Sequence, residues 1–152
     1  MCKMFVIGSD HGGLEAKGAI AAYLRQRGIE VEDLGTFNGD SVDYPDYGAK
    51  VAQWVSEAKA EKGILVCGTG IGMSIVANKF PRVRAALVHD AFTAQMAKEH
   101  NDANILVLGG RINDAETACS LVGIWLDATF AGGRHQGRLD KIAQVEAAVR
   151  KG

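Results

Sequence analysis

The chain is poor in cysteine and proline and carries almost no net charge. Three cysteines in 152 residues, Cys2, Cys67 and Cys119, form no C-x-x-C pair. That spacing excludes a zinc ribbon or a disulfide framework and points to reduced thiols in a cytoplasm; no metal is expected, and no cofactor. A formal net charge of −1, with acids and bases interspersed, excludes the concentrated basic face that a phosphodiester backbone demands, so no nucleic acid partner is expected. No apolar run approaches the ~20 residues of a membrane span, and the start Met1-Cys2-Lys3-Met4 opens no long apolar segment with a small-residue cleavage site. No membrane is therefore expected. Pro45 and Pro81 read as connection residues, and no repeat, linker or low-complexity segment divides the chain. One domain over residues 1–152 follows.

What is present is alternation. Short apolar runs recur at Met4 to Gly8, Ile29 to Leu34, Ile64 to Cys67, Ala85 to Val88 and Ile105 to Leu108, separated by stretches of helical periodicity. Strands apolar on both faces imply a parallel sheet covered on both sides. The expected fold is α/β, a Rossmann-like doubly wound sheet of five parallel strands with helices on both faces. Ligands in such sheets bind beyond the strand carboxyl ends. After Gly132-Gly133 a last helix is expected, with Leu139, Ile142, Val145 and Val149 as its apolar stripe. Periodicity leaves open whether it covers the sheet or crosses to a partner subunit.

The strand ends carry the chemistry. Cys67-Gly68-Thr69-Gly70-Ile71-Gly72 places a thiol at the end of an apolar run, inside a turn whose exposed N–H groups and following helix favour an anion. Cys67 alone reads as a small buried hydrophobe; three glycines beside it favour a working thiol. The first turn, Gly8-Ser9-Asp10-His11-Gly12-Gly13, matches neither a Walker loop nor a dinucleotide fingerprint. A cysteine phosphatase needs an arginine six residues after its nucleophile, where this chain has Met73. Asp10 also reads as a turn cap, and His100-Asn101 as a helix end. Arg134 and Arg138, four apart beside His135, share a helix face and suit one phosphate, with Arg111 supplied from the fifth strand.

Six segments, Gly8-Ser-Asp-His-Gly, Asp43-Tyr-Pro-Asp-Tyr, Cys67-Gly-Thr-Gly-Ile-Gly, Ala77-Asn-Lys, His100-Asn-Asp-Ala-Asn and Gly133-Arg-His-Gln-Gly-Arg, taken together and in order, closely resemble the type B ribose-5-phosphate isomerases. That family includes galactose-6-phosphate and allose-6-phosphate isomerases. The resemblance runs nearly end to end. It implies a metal-independent aldose–ketose isomerisation of ribose 5-phosphate and ribulose 5-phosphate through an enediolate. It implies Cys67 as the proton-shuttling base and His100 as the ring-opening residue. Substrate would be held by Asp10, His11, Gly68, Thr69, Gly70, Ile71, Gly72, Asn101, Arg111, Arg134 and Arg138. It further implies a homodimer or dimer of dimers with a shared active site, the last helix lending its arginines to the neighbour. A tetrose or hexose phosphate as substrate, and a non-catalytic sugar-phosphate sensor, are the competing readings.

Overall fold

The computed structural model describes residues 4–150, so Cys2 lies outside the described residues. The elements in chain order are β1 (Met4–Ser9), a single 3-10 turn (His11–Gly13), α1 (Leu14–Gln26), β2 (Glu30–Asp33), α2 (Tyr44–Ser56), β3 (Lys62–Cys67), α3 (Ile71–Ala77), β4 (Ala85–Leu87), α4 (Ala91–Glu99), β5 (Ile105–Gly109), α5 (Ala115–Asp127) and α6 (Arg134–Arg150). The strands form one wholly parallel sheet in the order β2-β1-β3-β5-β4. All five expected strands are present, each within two residues of its apolar run. Pro45 departs from expectation: it sits in the first turn of α2 rather than in a connection. An amide there has no helical partner to lose, so proline is tolerated.

Strand residues divide by parity between two cores, as the two-residue strand period requires. Phe5, Ile7, Ile64, Val66, Leu106 and Leu108 pack with α1, α4 and α5, around the fully buried Trp125. Val6, Leu65, Cys67, Ile105 and Val107 pack with α2 and α3. Cys67 is therefore a core residue by its neighbours and, by its position, the last strand residue before the glycine turn. Met73 also faces this second core and is fully buried, so the position that excludes a phosphatase arginine does not face the loop.

The chain winds outward from β1 to β2, then returns across β1 to β3. Between β1 and β3 the connections run in opposite directions, which opens a crevice at their carboxyl ends. Asp90 and Asp114 start α4 and α5 by accepting the N–H groups of Thr93 and Thr117, both at 2.8 Å. Asn104 ties the amino end of β5 to the segment before β4: its Oδ1 accepts the Arg84 N–H, and its Nδ2 donates to the Arg82 carbonyl, each at 2.8 Å.

Candidate active site

Three strand-end loops meet in the crevice. The Gly110 N–H donates to the Cys67 carbonyl at 2.7 Å, the Arg111 N–H to the Gly68 carbonyl at 2.9 Å, and the Asp10 N–H to the Val66 carbonyl at 3.3 Å. These bonds fix the loops after β1, β3 and β5 relative to one another. The loop after β4 is tied to the loop after β5, the Asn113 Nδ2 donating to the His89 carbonyl at 3.2 Å, while its Asp90 caps α4.

Cys67 is 5% exposed, and its Sγ accepts the Gly70 N–H at 3.2 Å. Gly70 has φ +84°, a conformation that glycine takes at no steric cost. The Thr69 Oγ1 accepts the Ile71 N–H at 3.3 Å, which leaves the hydroxyl proton free to point outward. Ile71 is 53% exposed on the first turn of α3. Gly72 is required by Tyr44, whose ring carbons would come within 2.3 Å of a Cβ there. Tyr44 thus covers the far side of the glycine turn.

Asp10 is 8% exposed and does cap the 3-10 turn, its Oδ1 accepting the Gly12 N–H at 2.9 Å. The His11 Nδ1 accepts the Val42 N–H at 3.2 Å. A ring nitrogen that accepts carries no proton, so the neutral His11 presents Nε2–H as a donor. The Arg111 guanidinium lies over Gly68, with Nη1 3.1 Å from the position of a Cβ on that glycine. Cys67, the glycine turn, Asp10, His11 and Arg111 thus form one group.

His100, Asn101, Arg134 and Arg138 form another, at the opposite edge of the sheet. His100 ends α4, which runs back against the strands, and it precedes β5; Cys67 is paired with Gly109 at the other end of β5. The two groups are separated by the five residues of that strand, about 16 Å at roughly 3.3 Å per residue. Arg84 holds the second group in place by donating from Nε to the Asn101 carbonyl at 3.1 Å and from Nη2 to the Asp102 carbonyl at 2.8 Å. His135 stacks on His100 with ring centroids 4.1 Å apart and planes 15° from parallel. Burial pushes the His135 imidazole below its ordinary range, and His100, Arg134 and Arg138 push the same way. Arg134 and Arg138 flank it, exposed, on the first turns of α6. A cleft of about 340 Å³ adjoins Asn101, between Arg84, Ala86, Leu139 and Ile142.

The His100–His135 stack and the Val42 brace on His11 were missed by sequence reasoning. Residues 35 or 31 positions apart leave no periodic signal; only the glycine pair before His135 hinted that the chain turns there. Among the described residues, no three His, Cys, Asp or Glu side chains gather to hold a metal, and no helix is long and apolar enough to cross a membrane.

A family model described as Ribose/Galactose Isomerase matches residues 5–142. The chain is 43% identical over 144 residues to ribose-5-phosphate isomerase B of Escherichia coli K12, spanning 95% of this chain and 97% of that protein. Clostridium thermocellum ribose-5-phosphate isomerase B has a solved structure of the same fold, with TM-score 0.94 and 49% identity over 96% of this chain and 99% of that one. The Mycoplasma genitalium ribose-5-phosphate isomerase B structure with bound ribulose-5-phosphate gives TM-score 0.92 and 40% identity over 97% and 99%. Sheet order, strand-end loops and end-to-end similarity agree: this chain belongs to the ribose/galactose isomerase family.

Proposed function

We propose that this single-domain chain, residues 1–152, interconverts ribose 5-phosphate and ribulose 5-phosphate by proton transfer at Cys67, in the cytoplasm. The observation that carries the mechanism is the Cys67 sulfur held by the Gly70 N–H inside the glycine turn. A thiolate in that position takes the C2 proton of the open aldose and returns a proton to C1, while the second hydroxyl proton passes between the two oxygens. The enediolate oxygen faces the N–H groups of the turn and the free Thr69 hydroxyl, donors that require no rearrangement as charge develops. Asp10 engages the sugar hydroxyls, and His11 Nε2–H and Arg111 meet the phosphate.

Ring opening calls for His100, which is a strand length away from Cys67 in the same chain. The reading therefore needs a second copy: His100, Asn101, Arg134 and Arg138 of one subunit complete the site around Cys67 of the other, in a homodimer or dimer of dimers. The exposed stripe on α6 supports this, with Ile142 at 51%, Val145 at 63% and Val149 at 70% exposure. Apolar area at that spacing is ready-made interface.

Purified protein should equilibrate the two pentose phosphates, followed by NMR, and Cys67→Ala should abolish turnover while leaving the circular dichroism spectrum unchanged. Full activity in that variant would remove Cys67 as the base. The matching family is described by both ribose and galactose, so kcat/KM across four-, five- and six-carbon sugar phosphates decides the substrate.

A further inference from the structure

His135 is 9% exposed although Arg134, Gln136 and Gly137 around it are exposed, and it lies on the same helix face as the buried Leu139. The chain has been turned to bring it inward. Gly132 and Gly133 take φ +66° and +53°, the Ala131 N–H donates to the Glu99 carbonyl at 2.9 Å, and the His135 N–H donates to the Gly132 carbonyl at 3.0 Å. Those bonds anchor the start of α6 to the residue immediately before His100. Neither imidazole has a hydrogen-bond partner among the described protein residues, so the stack at 4.1 Å is the contact that orients the His100 ring.

We propose that His135 is a positioning residue for ring opening: its flat ring, stacked on His100, holds that imidazole in the plane from which it exchanges a proton with the sugar. This rests on the isomerase reading above. Opening breaks the C1–O4 bond of the furanose; the electron pair goes to O4, which takes a proton from His100, while the O1 hydroxyl yields its proton to the Asp10 carboxylate. His100 must therefore carry the proton and His135 must not compete for it. The surroundings meet that need. Burial, together with His100 on α4 and Arg134 and Arg138 on α6, opposes charge on His135, and only Glu99 on α4 favours it.

The two sugars separate this role from a general one. Ribose 5-phosphate is a ring in solution and must be opened, whereas ribulose 5-phosphate, with its O5 esterified, has no furanose to open. In His135→Ala, kcat from ribose 5-phosphate should fall about tenfold or more, while solvent deuterium exchange into ribulose 5-phosphate stays within about twofold of the parent. His135→Phe keeps a flat uncharged ring and should restore most of the loss. Equal losses with both sugars, no loss with either, or a phenylalanine variant as poor as the alanine one would overturn the role. Melting curves establish that both variants fold. A parent protein that fails to equilibrate the two sugars overturns the isomerase reading itself and this role with it.

Discussion

The Gly70 amide donates to the Cys67 sulfur over 3.2 Å, and it reaches that position from a left-handed backbone. A Cβ on Gly70 would stand 2.5 Å from Leu87 Cδ1 and 3.1 Å from the Leu108 carbonyl. Gly70→Ala is therefore strained twice, by conformation and by contact with main chain, and should cost about 2 kcal/mol of stability in urea unfolding. Displacing one preorganised donor should also lower kcat about a hundredfold with KM little changed. A variant that loses stability but keeps kcat would detach this amide from the chemistry.

Cys67 and His100 lie at opposite ends of β5, which makes complementation a direct test of the shared site. Cys67→Ala and His100→Ala proteins, each inactive alone on ribose 5-phosphate, should regain activity on that sugar when unfolded together and refolded as a mixture. In a two-fold symmetric dimer, one of the two sites in each mixed dimer carries both intact residues, so random pairing predicts about a quarter of parental activity. Mixed dimers demonstrated by mass spectrometry but lacking turnover would show that each site is built from a single chain.

His11 Nδ1 is engaged by the Val42 amide, so only Nε2 is left to face a substrate. Glutamine places an amide nitrogen near the Nε2 position, while asparagine reaches only as far as Nδ1. If His11 meets the phosphate, His11→Asn should raise KM about tenfold, the magnitude of one charge-assisted hydrogen bond, and His11→Gln should recover part of that loss. Steady-state kinetics on both variants checks the order; asparagine performing as well as glutamine would place the working atom at Nδ1.

His135 gives stability a pH dependence whose sign follows from its lowered protonation range. The unfolded chain binds this proton near the ordinary ~6.5 of imidazole, before the folded chain does, so stability present above that pH declines on acidification. His135→Phe removes the difference. Its unfolding midpoint should therefore drop less than that of the parent between about pH 7.5 and 5.5, a range bracketing the free imidazole. Parallel midpoints across that range would mean that His135 takes up its proton alike in both states.

The sheet was legible because its strands are apolar on both faces, and Val6 and Leu65 read as core before any packing is seen. The strand order was not: β5 inserts between β3 and β4, and equally apolar runs such as Ala85 to Leu87 and Ile105 to Leu108 carry no label for their neighbours. The site was legible as a set of residues and illegible as an arrangement. His100 was correctly read as a helix end, yet only the direction of α4 against the strands places it at the amino edge, away from Cys67. His135 was legible as part of a basic cluster, while its stack depends on a turn made by two glycines and one carbonyl of a distant helix.

Asn101 and Asn104 belong to the same His100-Asn-Asp-Ala-Asn segment, and their environments predict opposite failures. Asn104 spends both ends of its amide on main chain, accepting from Arg84 and donating to Arg82 at 2.8 Å each. Asn101 is exposed and, among the described residues, is tied down only through its carbonyl, which accepts from Arg84 Nε. Asn104→Ala leaves a half-buried N–H and C=O without partners and should cost about 2 kcal/mol, seen as a lower urea midpoint, with kcat and KM near parental in the molecules that remain folded. Asn101→Ala should unfold like the parent and bind substrate less tightly. Should the two variants exchange phenotypes, Asn104 would be the substrate contact and Asn101 the brace, and the second half of the site would have to be redrawn around β5 instead of α4.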